Sequence, residues 1–589
     1  MSSLAIYTSK SKDNPLPKEN MTSTKKARGR RGMEEANGKE RAREKKDKEE
    51  ADGKERVREK KDTDGWMELA WIAGLATCLK LLLLPSYHST DFEVHRHWLA
   101  ITHTLPLHQW YVDHTTQWTL DYPPFFAWFE WILSHVAAAI DPRIVDLTGG
   151  LNYESDACLL FQRVTVILAD GLLCFALWSY CSNLCLQKQR LVYVAVLLSP
   201  GLFIVDHIHF QYNGFLLGLL LLSLAALREG RDVLGATLFA VLVCFKHLFA
   251  IAGPVYLVYL LRHSRGPGML KRWLLIGISV AAVLSLAFGP FIYYNQIPQL
   301  FKRLFPFGRG LCHAYWAPNI WALYNTADKL IGLVIRQFGF KVNMQKAGLT
   351  AGLVGDLTPY QVLPQISPLI SMMLVLFSMA PCLLEVWKHP CQKKIVRCIT
   401  YAYACGFMFG WHVHEKASLH FVIPFSLFAV ETIRDASNYI FLSIVSYYSL
   451  FPLLFNAPEY PIKVILLLLH VSVLYIGFTN HFQDPVSVKL HNSREKMRSK
   501  MNSEQDWGLY DNIQVSGNRT GKGLIEHELG LYRLVYLFGF IGVEVCAQIL
   551  QYSELYLRFP FLPLMLRSIY CAFGMIIGFG SLLSTRLVW

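Results

Sequence analysis

The chain has 589 residues, 53% of them hydrophobic and 17% charged, with a formal net charge of +13 and a mean hydropathy of +0.28. A dozen apolar runs in succession exclude one soluble core and define an all-α polytopic membrane protein. The thirteen cysteines are scattered, several inside apolar runs (Cys174, Cys244, Cys405 and Cys546), and they do not have the spacing of a disulfide framework.

Residues 1–65 are dense in Lys, Arg, Glu and Asp, and 38–47 is nearly repeated as 53–62. Too little apolar surface is present to offset ordering entropy, so this segment reads as a disordered cytosolic tail expanded by duplication, with no catalytic content. The run Trp66 to Pro85 is expected to serve as an uncleaved signal anchor. Because short cytosolic loops carry the excess of basic residues, the tail stays in the cytosol and the loop after Pro85 becomes luminal.

That loop, His88 to Pro124, interleaves Trp98, Trp110, Tyr111 and Trp118 with Asp91, Glu93, Asp113 and Asp121. An interfacial aromatic belt with solvated acids has this composition, and so does a site holding a sugar beside a lipid headgroup. Two apolar stretches then compete for one span. Pro123 to Ile140, with Glu130 and His135, is assigned to a luminal juxtamembrane helix and Phe161 to Cys181 to the span, which puts the basic connector Gln187 to Arg190 back in the cytosol.

The alternation continues through Leu191 to Val205, Tyr212 to Leu227, Val233 to Phe249, Gly253 to Leu261 and Trp273 to Tyr294, with basic clusters at 228–231 and 262–272 on the cytosolic side. A long luminal segment follows, running to about Pro364 with an amphipathic helix over Trp316 to Ile335. It breaks the sign rule, since Lys302, Arg303 and Arg309 cluster beside Phe301, Phe305 and Phe307. A mis-assigned loop would explain the exception, and so would an anionic ligand such as a phosphate. Pro368 to Trp387 descends to the basic 388–394 and Val396 to Trp411 rises to His412, His414 and Lys416. Four more spans, with Arg434 and the polar loop 483–530 cytosolic, bring the total to roughly fourteen. This divides the chain into a tail (1–65), a catalytic membrane region (66–482), a polar loop (483–530) and C-terminal helices (531–589), with both termini cytosolic. The sequons at Asn20 and Asn518 then face the cytosol and are expected to stay unmodified.

Threaded this way, Asp91, Glu93, Arg96, Asp121, the run 206–213, Arg303, Arg309, His412, His414 and Lys416 share one membrane face. Ionisable residues at spans are costly, and their gathering on one face points to a reaction or transport site. The pairs His207/His209 and His412/His414 have a spacing that metal ligands also use. No Cys or Glu completes a set, so neither a metal nor a cofactor is assigned.

The runs 89–98, 118–124, 206–213 and 409–416 resemble the dolichyl-phosphate-glucose-dependent glucosyltransferases of the endoplasmic reticulum, from about Leu81 to the C-terminus. Within that family, 305–319 is similar to the branch that adds the second glucose, α-1,3 onto the first, rather than to the sister branch that adds the first. The resemblance implies a GT-C type fold in the endoplasmic reticulum membrane with a luminal active site. Its implied partners are dolichyl phosphate β-glucose, the mono-glucosylated nine-mannose oligosaccharide on dolichyl diphosphate, and membrane lipids, with no nucleic acid. It further implies inversion at the anomeric carbon.

Inversion needs a base for the attacking hydroxyl, while a phosphate matched by cations leaves without an acid. Asp91 is assigned as the base, with Asp121 as alternative or as an acceptor ligand. Arg303, Arg309, His412, His414 and Lys416 are assigned to the donor phosphate. Glu93, Arg96, Trp98, Tyr122, Asp206, His209 and Gln211 are assigned to substrate, although Glu93, two residues from Asp91, points away from it on a helix and suits a structural role. A transporter or flippase would also carry ionisable groups among spans, but the inverted repeat common in transporters is absent from this sequence.

Overall fold

The computed structural model describes residues 65–312, 316–339, 360, 362–482 and 524–587. The expected tail up to residue 64, most of the 483–530 loop, both sequons and the 313–315 part of the second-glucose motif lie outside the described residues. The chain divides into two units, Met1–Glu68 and Leu69–Trp589, and the second carries all the chemistry discussed below.

Among the described residues every regular element is helical. Eight helices have the length and apolar composition to cross a membrane: Gly65–Leu82, Asp156–Cys181, Leu186–Ile208, Met269–Tyr293, Pro368–Lys388, Glu459–His481, Glu528–Leu550 and Leu562–Ser584. These eight, among the described residues, are fewer than the roughly fourteen expected. Pro124–Ile140, Asn213–Arg228 and Asp232–Phe245 are apolar but shorter, Gly253–His263 and Leu419–Ala429 have 11 residues each and Ile433–Ser449 has 17. At about 1.5 Å per residue such helices reach roughly 17–26 Å, less than the ~30 Å hydrocarbon core. Gln392–Phe409 has 18 residues but carries Lys393, Lys394 and Arg397. Two of these short helices are interior, since Leu419–Ala429 is buried at every position and Ile433–Ser449 from Asp435 onward. Protein neighbours satisfy their ends, a role that water cannot play in lipid.

Gly171–Cys181 packs on Asn213–Arg228, which packs in turn on Asp232–Phe245. The approach is close at Gly218, where a Cβ would meet the Leu173 backbone nitrogen at 2.9 Å. A second group joins Gln392–Phe409, Leu419–Ala429, Ile433–Ser449, Leu524–Leu550 and Leu562–Leu587. The first loop folds as its own aromatic cluster in which Phe92, Trp98, Tyr111 and Phe126 are buried with Phe210 and Tyr212.

Two helices build that loop. Thr90–Thr104 begins at Ser89, whose hydroxyl accepts from the Asp91 amide, with Asp91 and Glu93 in the first turn where the helix dipole favours acids. Pro124–Ile140 starts with Pro124 at its first position, where the missing N–H costs nothing. The amphipathic helix expected from Trp316 runs instead over Ile320–Gln337. Pro318 and Asn319 set its start, with the Asn319 side chain accepting from the Trp321 amide.

Candidate active site

Leu186–Leu197 ends before Ser199-Pro200, and the chain resumes as a π-helical turn, Phe203–Ile208, that closes with the His209 amide donating to the Ile204 carbonyl at 2.9 Å. Phe210 then adopts φ 88°, a left-handed conformation unusual for an aromatic residue. This break turns the 206–213 motif across the first loop. Ser89 clasps it, its hydroxyl donating to the His209 carbonyl at 2.6 Å and its amide to the same oxygen at 3.0 Å. Arg163 staples the other side, donating to the carbonyls of Ser86, Tyr87, His207 and Ile208.

The clasp brings His209 and Gln211 onto Asp91. Gln211 Nε2 donates to Asp91 Oδ2 at 2.6 Å, and Lys416 Nζ, 325 residues further on, donates to the same oxygen at 3.0 Å. Lys416 also lies 2.9 Å from His209 Nε2, which is 3.3 Å from Asp91 Oδ2. Burial pushes the Asp91 carboxyl up, but Lys416 and His209 outweigh it and hold the group well below the usual carboxylate range. Burial and Lys416 together lower His209. The result is an ionised carboxylate, a quarter exposed, against an ammonium and a neutral imidazole.

Behind this trio, Asp206 accepts from Asn213 Nδ2 at 2.8 Å and from the Gly214 amide at 2.6 Å, and Asn213 also donates to Gln211 Oε1 at 2.9 Å. Asp206 therefore fixes the amide that fixes Gln211. Tyr122 is in electrostatic reach of Asp121, Asp91 and Asp206. Trp98 donates from Nε1 to the Thr119 carbonyl at 3.2 Å and so anchors the strand of loop that carries Asp121.

The expected phosphate ligands divide. His412 is joined to the Arg309 segment, its amide donating to Leu311 O at 2.8 Å and its ring nitrogen meeting Gly310 O at 3.0 Å. Its own φ of 52° and a bridge between Cys312 and Val413 complete the junction. His414 lies beside it, with the ring centroids 5.6 Å apart. The Arg309 side chain lies outside the described residues. Arg303 reaches the first loop, donating to the carbonyls of Tyr111 at 3.4 Å and Asp113 at 3.1 Å. Glu93 and Arg96, read as substrate ligands, are turned inward instead. The fully buried Arg96 clamps Glu93 at 2.9–3.1 Å and spends its remaining hydrogens on Ile144 O, Asp146 O and His97. Three residues apart on one helix, they face each other rather than the cluster.

Two residues escaped the sequence reading. Lys246, buried at the end of Asp232–Phe245, donates to Asn213 Oδ1 at 3.3 Å, lies 5.3 Å from the Tyr122 ring centre, and is in electrostatic reach of Asp91, Asp121, Asp206 and Lys416. A single Lys inside the apolar run 233–249 is the signal that marks it. Glu415, beside Lys416, is buried with neither carboxylate oxygen bonded, and burial raises its pKa. Among the described residues no group of three His, Cys, Asp or Glu is arranged to hold a metal ion.

An ionised base flanked by cations at the junction of an aromatic loop and apolar helices can accept a proton from a hydroxyl next to a departing anion. Comparison with known proteins points the same way. The ALG6, ALG8 glycosyltransferase family matches residues 76–582. The dolichyl pyrophosphate Glc1Man9GlcNAc2 alpha-1,3-glucosyltransferase of Arabidopsis thaliana is 50% identical over 509 residues, covering 86% of this chain and 95% of its own. Its namesake from Mus musculus is 42% identical over 554 residues (88% and 96%), and that of Schizosaccharomyces pombe 39% over 537 residues (88% and 98%).

Proposed function

The chain belongs to the ALG6, ALG8 glycosyltransferase family, and from that membership we infer that it is the α-1,3-glucosyltransferase acting on the Glc1Man9GlcNAc2 oligosaccharide of dolichyl pyrophosphate, adding the second glucose. It is a multi-pass membrane protein. The donor we propose is dolichyl phosphate β-glucose, used at the luminal face of the endoplasmic reticulum by a GT-C type fold in which the shorter interior helices complete the spans.

The observation that carries the mechanism is the Asp91–Lys416 contact. Asp91 takes the proton of the acceptor glucose 3-hydroxyl as that oxygen bonds the anomeric carbon of the donor, and the bond from that carbon to the phosphate oxygen breaks with its electron pair leaving on the phosphate. A β-linked donor attacked from the opposite face gives an α product. Lys416 has three N–H donors; Asp91 and His209 take two, and the third serves the departing phosphate together with Arg309, His412 and His414. Asp121 and Tyr122 are proposed acceptor ligands on the same wall. Asp206 and Gln211 are proposed to position the base, and Glu93, Arg96, Trp98 and Arg303 to position the loop that carries it.

Purified protein given dolichyl phosphate glucose and either the glucose-free or the mono-glucosylated acceptor, with and without a chelator, tests this reading. Turnover of the mono-glucosylated acceptor alone is the expected result. Turnover of the glucose-free acceptor would assign the sister reaction, and absence of either product would remove the donor assignment.

A further inference from the structure

The transferase site occupies one end of the helices that bear Lys416 and its neighbours: the Ser446 hydroxyl bonds Ser418 Oγ at 2.8 Å there, and Tyr448, Glu544 and Arg567 form one linked group. Asn438 precedes Ser446 by eight residues and Arg533 precedes Glu544 by eleven, which is roughly 12–16 Å further along their helices. At that far end a cavity of about 490 Å³ opens between Ile433–Ser449, Leu524–Leu550 and Leu562–Leu587, lined by Arg434, Asn438, Glu528, Arg533, Ser581 and Ser584.

Arg533 is the unusual member. It is only 6% exposed, within a candidate span, and every partner it has among the described residues is neutral. Its guanidinium donates to Asn438 Oδ1 at 2.8 Å and to Ser581 Oγ, and lies 5.2 and 5.6 Å from the ring centres of Phe441 and Tyr532. Its Nε, buried as well, has no hydrogen-bond partner. A guanidinium removed from water among neutral groups is costly until an anion meets it. Arg434, exposed at the mouth, donates to Ser584 Oγ at 3.3 Å and adds a second cation.

We propose that this cavity binds the phosphodiester headgroup of an anionic membrane phospholipid. Among the described lining residues, two guanidiniums against the carboxylate of Glu528 leave one net positive charge, which suits a singly charged phosphodiester better than a doubly charged phosphate monoester. The Asn438 amide nitrogen supplies an uncharged hydrogen bond to its oxygens, while the Ser581 and Ser584 hydroxyls, which already donate to Ile577 O and Ser581 O, hold the two guanidiniums in place. Leu531, Val535 and Phe538, on the same helix as Arg533 and 77%, 62% and 71% exposed, offer apolar surface for acyl chains. The site shares no residue with the transferase cluster, so its occupancy is separable from the transfer reaction.

The test uses the purified full chain in neutral detergent, titrated with phosphatidylglycerol, with phosphatidylcholine, or with glycerophosphoglycerol, the same headgroup without acyl chains. Native mass spectrometry reads binding and thermal unfolding reads stabilisation. Phosphatidylglycerol is expected to bind and raise Tm, and to do so better than either of the other two. Arg533→Gln is expected to weaken its binding by about ten-fold or more, the ratio of a charge-assisted bond, with Arg434→Gln losing part of that. Arg434 is exposed, so its variant keeps the test open should Arg533→Gln fail to fold. Equal affinity of the wild type and the variant chains overturns the proposal, and so does glycerophosphoglycerol binding as tightly as the lipid.

Discussion

At the scale of single residues, the proposed base Asp91 is defined by its neighbours more than by its own chemistry. Asp91→Asn leaves an amide of the same shape beside Gln211 and Lys416, so the chain should fold while transfer falls by about 10²–10⁴, the usual contribution of a positioned base; an assay of product formation by the folded variant decides it. The pH dependence has a definite sign. Burial alone would raise Asp91 and Lys416 reverses that effect, so the wild-type base stays ionised down through the ordinary carboxylate range and the acid limb of its rate profile lies low. Lys416→Met removes the reversal, and that acid limb should move to higher pH. An unshifted limb in the kcat/KM profile would mean that the ammonium does not set the protonation of the base. Lys246→Met should likewise reduce transfer without unfolding the chain, because its ammonium is in electrostatic reach of Asp91, Asp121 and Asp206; product formation by the folded variant checks it.

Whole elements are placed by contacts that periodicity does not encode. The Thr90–Thr104 helix is held from inside by Arg96, and Arg96→Met would strand Glu93 as an unpaired buried acid; a loss of about 3–5 kcal/mol is expected in chemical denaturation. Gly214 faces Asp170 so closely that a Cβ would meet its Oδ1 at 1.9 Å, while Asp170 is engaged by Lys80 and His207. Gly214→Ala should therefore cost about 1–3 kcal/mol through overpacking, readable as a lowered midpoint of unfolding. Much of this layer was legible in the sequence: the first-loop helix over Pro123 to Ile140 and the spans at Trp66, Phe161, Trp273 and Pro368 all appear as helices close to the expected positions. The π-turn at Phe203–Ile208 was not legible, because an apolar run says nothing about where its hydrogen bonds change register. Hydropathy likewise does not separate a helix that faces lipid from one such as Leu419–Ala429 that is buried in protein, so fewer helices meet the length criterion than the apolar runs suggested.

Over the whole molecule, the candidate site was legible as a set of residue types and only partly as a geometry. The motifs at Asp91, 206–213 and 412–416 stood out as charge in apolar surroundings, and the structure brings Asp91, His209, Gln211 and Lys416 into direct contact. The inward turn of Arg96 depends on side-chain direction, which no pattern marks, whereas Lys246 was marked by its charge inside an apolar run but not by the helix end that aims it at the site. If the basic connectors orient the chain as proposed, single cysteines introduced at His114 and at Arg434 should be labelled from opposite sides of sealed microsomes; labelling of both from one side would contradict the luminal placement of the site. The contact between Asp91 and Lys416 also bears on biosynthesis. A nascent chain inserts from its N-terminal end, so the carboxylate enters the bilayer surface long before the ammonium that tunes it has been synthesised. A product truncated upstream of position 416 would carry the proposed base without its cation, and is expected to be inactive in the transfer assay.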